Sequence, residues 1–91
     1  MDIAKITIWD DDAERIAQAD RHIRAACREL GLSAVIDSQS EPPLLARMNL
    51  TGKTPAFEIN GLYWKIRTGA VPSVESCIRL LRRLLEGRQD F

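Results

Sequence analysis

Cysteine and histidine are too scarce in this chain for most metal and thiol chemistry. Cys27 and Cys77 stand far apart, in no Cys-x-x-Cys arrangement, and His22 is the single histidine. These counts exclude the ordinary zinc patterns. Net charge is missing as well: 13 Lys and Arg balance 13 Asp and Glu, so no whole-molecule field draws nucleic acid or an anionic membrane. No apolar run approaches the roughly 20 residues of a membrane span. Met1-Asp2-Ile3-Ala4-Lys5 lacks the pattern of a signal peptide. The expectation is a cytoplasmic protein with two free thiols, no cofactor or metal, and neither nucleic acid nor membrane as partner. Repeats and low-complexity segments are also lacking.

What is present suits one modest globular domain spanning 1–91. Ninety-one residues allow a real core, and 45% apolar with 29% charged residues shows no bias toward disorder. The most informative stretch is Lys53 to Gly61. Thr54-Pro55 precedes a short apolar strand, Ala56 to Ile59, and Asn60-Gly61 joins it to Leu62 to Ile66. Asn-Gly supplies the two positive φ angles of a type I′ hairpin turn.

The remaining elements follow in chain order. Ile3 to Trp9 reads as a strand with apolar residues on both sides, which suits burial on two faces. Asp10-Asp11-Asp12 ends it and starts a helix, with Asp11 and Glu14 at capping-box spacing. A carboxylate metal site is the alternative, but no second acidic cluster completes a shell. The helix runs to Leu30 with Ile16, Ala19, Ile23, Ala26, Cys27 and Leu30 on one stripe, and Gly31 ends it. Cys27 is thus read as a small core residue, and His22 as a solvated side chain. Leu32 to Asp37 forms the second strand, parallel to the first. Ser38 to Pro43 is a loop entering a short helix whose buried face is Leu44, Leu45 and Met48. Ser73 caps a last helix that buries Val74, Cys77, Ile78, Leu81, Leu84 and Leu85 and ends at Gly87. Arg79, Arg82 and Arg83, with Arg88 beyond, have no interleaved aromatics or glycines and read as a solvated face. Lys65 and Arg67 read as edge charges that discourage intermolecular pairing. Arg88 to Phe91 carries no assignment.

The order β-α-β-α-β-β-α implies an α/β domain with a mixed four-stranded sheet and helices on both faces. Beyond this order, Thr54-Pro55-Ala56, Ile59-Asn60-Gly61 and Gly69-Ala70-Val71-Pro72-Ser73-Val74-Glu75 resemble the C-terminal half of the small, glutaredoxin-sized thioredoxin-like redox proteins of bacteria and archaea. The likeness extends back through Arg28-Glu29-Leu30-Gly31 and so covers nearly the whole chain. It implies the thioredoxin fold, with a cis proline at Pro55. In that family Cys-x-x-Cys opens the first helix; here Ala13 and Ile16 stand at the two positions, so the redox centre is absent. The resemblance therefore implies a non-redox protein that binds a protein or peptide through the cis-proline loop, framed by Trp9, Asp10, Asp11, Asp12, Ala13, Thr54, Pro55 and Gly69. Trp9 could anchor a partner, but a tryptophan at a strand end is more often half-buried core. Two alternatives stay open: a thiol-disulfide oxidoreductase using Cys27 and Cys77, and a structural subunit or homo-oligomer pairing through an edge or the Leu44-Leu45-Met48 helix.

Overall fold

A computed structural model describes residues 5–50, 52–65 and 69–86. The expected strand start at Ile3, the strand end at Ile66, Arg67, the stop at Gly87 and the tail lie outside these residues. The described elements are β1 (Lys5–Trp9), α1 (Ala13–Glu29), β2 (Val35–Gln39), α2 (Pro42–Arg47), β3 (Ala56–Ile59), β4 (Leu62–Trp64) and α3 (Val74–Glu86). They form an α/β domain around one mixed four-stranded sheet of order β2-β1-β3-β4. β1 pairs parallel with β2 and antiparallel with β3, and β3 pairs antiparallel with β4. Among the described residues, no helix is long and apolar enough to cross a membrane.

β1 is central because both of its faces are apolar enough to bury. Ile6 and Ile8 are fully enclosed, and Thr7 and Trp9 on the opposite face are 6% and 7% exposed. Ile6 lies beside Ile59 and Ile8 beside Phe57, so one face of the sheet is a continuous apolar layer. Ala19, Ile23, Ala26 and Cys27 of α1 close over it together with Cys77 and Leu81 of α3. Trp9 and its rung partner Ala56 face the other way and pack with Leu45 of α2, Leu50 and Leu44. One core thus holds two helices, and the smaller one opposite holds the third.

The local chemistry explains where these elements stop. Gly31 adopts φ +69°, Leu32 N–H donates to the Cys27 carbonyl at 2.8 Å, and Gly31 N–H donates to the Arg28 carbonyl at 3.2 Å. This is a Schellman stop for α1, which needs a residue free of the left-handed penalty. Asn60 and Gly61 both carry positive φ, 54° and 81°, as the hairpin turn requires. Ser73 Oγ accepts from Ser76 N–H at 3.1 Å, capping α3.

Four local expectations need correction. α1 is capped by Asp12, whose Oδ1 accepts from Arg15 N–H at 3.0 Å, so Glu14 does not occupy the third helical position that a capping box needs. β2 begins at Val35 and includes Ser38 and Gln39, whereas Leu32 and Ala34 pack against the large core before pairing starts. Its polar end looks like a loop because an edge strand presents Asp37 and Ser38 to solvent. Met48 is 41% exposed; Asn49 at φ +61° turns the chain back, and Leu50 is buried instead. His22 is half-buried, and its Nδ1 donates to the Pro72 carbonyl at 2.8 Å, tying α1 to the segment that leads into α3.

Candidate functional site

The β1–β3 register determines which of the candidate residues come together. Trp9 pairs with Ala56, so Asp10 and Pro55 leave the sheet at the same end, on adjacent strands. Gly69 N–H donates to the Thr54 carbonyl at 2.8 Å and brings the segment before α3 to the same place. The Thr54–Pro55 peptide bond is cis. Trp9, Asp10 to Ala13, Thr54, Pro55 and Gly69 therefore share one end of the sheet, at the start of α1.

They divide into a buried frame and an exposed rim. Trp9, Asp10, Thr54 and Pro55 are buried, whereas Asp11, Asp12, Ala13 and Gly69 are exposed. Trp9 packs in the smaller core, its indole N–H donates to Glu58 Oε1 at 2.9 Å, and its ring meets Tyr63 edge-on at 6.2 Å between centroids. That indole is a structural pin, with its donor already used. The Thr54 carbonyl is likewise occupied by Gly69. The solvent-facing part of the site is the acidic turn at the head of α1, where Glu14 is also exposed.

Asp10 holds this turn in shape, a role the sequence did not single out. Its side chain is wholly buried. Oδ1 accepts from Asp11 N–H at 2.7 Å, Asp12 N–H at 3.3 Å and Arg15 Nη2 at 2.8 Å, while Oδ2 accepts from Arg15 Nε at 2.8 Å. The two-pronged guanidinium contact matches carboxylate geometry. Burial pushes the Asp10 pKa up, but the bonds from Arg15, Asp11 and Asp12 and the Arg15 charge outweigh it and hold the carboxyl below its usual value. The same pairing raises Arg15. A carboxylate so committed does not serve as a general acid or base near neutral pH. Three consecutive aspartates look alike in sequence; the one signal available was that Asp10 directly continues a buried strand.

No thiol lies at this end. Ala13 and Ile16 occupy the first turn of α1, Ala13 exposed and Ile16 partly packed against the large core. Cys27 and Cys77 are buried and unlinked, in the core between α1 and α3. Burial raises both pKa values; Cys77 is pushed up to about 12, with a contribution from Cys27, and Arg24 only partly offsets the rise at Cys27. Both sulfurs are therefore held as thiols. Among the described residues no group of three or more His, Cys, Asp or Glu is arranged to hold a metal ion.

What the site can do chemically is present an ordered acidic turn beside a packed loop. Among the described residues, neither a thiol pair nor a free acid–base pair lies there. No protein-family model matches the chain, and neither a curated protein nor a solved structure matches it significantly.

Proposed function

We propose that the chain is a thioredoxin-like domain without a dithiol, which acts by binding an extended protein or peptide segment at the sheet end around Thr54-Pro55. The observation that carries this reading is the convergence of the Asp10–Ala13 turn and the Thr54–Gly69 contact at one end of the sheet. The exposed members Asp11 and Asp12, with Glu14 beside them, make the favoured segment a basic one. Trp9, Asp10, Thr54 and Pro55 serve as the rigid frame beneath it rather than as contact side chains.

The oxidoreductase reading is the weaker one. Its two sulfurs lie in the same core, but both are buried with raised pKa values, and the attacking species in such chemistry is an accessible thiolate.

Binding is tested by fluorescence anisotropy with labelled, unstructured lysine- and arginine-containing peptides. Asp11→Lys is expected to weaken binding about tenfold relative to the same charge change at Glu29→Lys, which lies at the far end of α1. Equal effects of the two variants, or no binding to any basic peptide, would remove the reading.

A further inference from the structure

A groove of about 380 Å³ lies between β4 and α3 at the β4 edge of the sheet, where Trp64 pairs with Phe57, one rung from the Trp9–Ala56 pair. Its lining is Trp64, Lys65, Ser76, Arg79, Leu80 and Arg83. In sequence the arginines of α3 look like a solvated helix face, because no aromatic lies among them. The fold supplies one from elsewhere. Trp64 sits opposite Phe57 on the face of the sheet covered by α1 and α3, and lines the groove together with residues of α3. Ser76, Arg79, Leu80 and Arg83 follow helical spacing, so they form one strip along α3 facing that indole.

Two features mark this groove out. Half of its lining residues are cations and none is acidic, in a chain whose charges balance overall. Trp64 Nε1–H is buried without an acceptor among the described residues, although the other tryptophan has its partner in Glu58. A buried donor without an acceptor is a rare and unfavourable state. Among the described residues, cations and the Ser76 hydroxyl thus line one recess without a carboxylate, and the indole that walls it has a buried N–H with no acceptor.

We propose that this groove binds the phosphoryl group of a small molecule. Guanidinium forks at Arg79 and Arg83, the Lys65 ammonium and the Ser76 hydroxyl provide the charge-assisted donors that a phosphoryl dianion accepts from. The apolar walls of Trp64 and Leu80 take the uncharged body of the ligand. Its chemistry is of the opposite sign to that of the acidic sheet end.

The two tryptophans give a built-in readout. In ¹H–¹⁵N spectra, titration with inorganic pyrophosphate at fixed ionic strength is expected to move the Trp64 indole resonance saturably and to leave that of Trp9 in place. Arg79→Gln with Arg83→Gln should raise the apparent Kd about tenfold or more, as loss of charged hydrogen bonds implies. Arg82→Gln removes the same unit of charge from α3 outside the groove lining and should change Kd by no more than about twofold, since exposed charges are screened. Folding of each variant is verified by an unshifted Trp9 indole. A Trp64 resonance that stays fixed, that responds equally to citrate or chloride, or that responds unchanged in the double variant would overturn the proposal.

Discussion

Asp10 is the residue on which the acidic turn depends, and its behaviour with pH follows from its contacts. Its carboxyl pKa is lower folded than unfolded, so its contribution is present above the unfolded value, near 4, and is lost as pH falls through the folded value. Asp10→Asn should destabilise the protein at pH 7 by about 2 kcal/mol, because the buried carboxylate loses its charge-assisted bonds with a partly exposed Arg15. Urea denaturation should show that difference shrinking as pH falls below about 4. A gap that stays constant from pH 7 to pH 2 would mean that the Asp10–Arg15 charge pair is not its source. The thiols belong to the same scale. Cys27 and Cys77 should react with a disulfide reagent at neutral pH only on unfolding, and dithiothreitol-driven insulin reduction should not exceed the buffer rate. Fast native-state labelling of either cysteine would contradict the burial that disfavours redox chemistry.

Among the elements, those governed by a single local rule are the ones the sequence makes plain. Asn60-Gly61 admits one turn type, Gly31 closes α1, Ser73 caps α3, and the α1 stripe from Ala19 to Cys27 is the buried face. Where two neighbours compete for one role, the sequence cannot choose between them. Asp12 rather than Asp11 caps α1, because Asp10 turns inward and takes the N–H groups of both following aspartates. Leu50 rather than Met48 completes the smaller core, because Leu50 N–H bonds the Leu45 carbonyl at 2.8 Å after the turn at Asn49. The first turn of α1 offers a direct test of the site alignment. Ala13 and Ile16 are three residues apart on one helix, within the Cα separation that a disulfide tolerates. Ala13→Cys with Ile16→Cys should form an intramolecular disulfide under mild oxidant, with some loss of stability, about 1–3 kcal/mol, because Ile16 packs against the core. Peptide mapping that finds the two introduced thiols unpaired in folded protein would show that this turn is not the equivalent of a dithiol site.

At the scale of the whole molecule, the order of elements and the apolar stripes were enough to specify a mixed four-stranded sheet with helices on both faces. The candidate site was only half visible. Its members could be named because they flank strand ends, but which of them reach solvent depends on a register and a buried ion pair that no linear pattern encodes. Trp9 illustrates this: a strand-end tryptophan suits either an anchor or a core residue, and packing against Leu45 with a bond to Glu58 makes it core. The basic groove was invisible for a related reason, since Trp64 and Arg79 meet only across the fold. The central claim is that binding occurs at the acidic sheet end. Amide-resolved resonance mapping with a saturating basic peptide tests it most directly. The account predicts perturbations concentrated at Asp11, Asp12, Ala13 and Gly69, with the C-terminal turn of α1 and the turn at Asn60-Gly61 unaffected. Perturbations centred anywhere else, with that end silent, would contradict it.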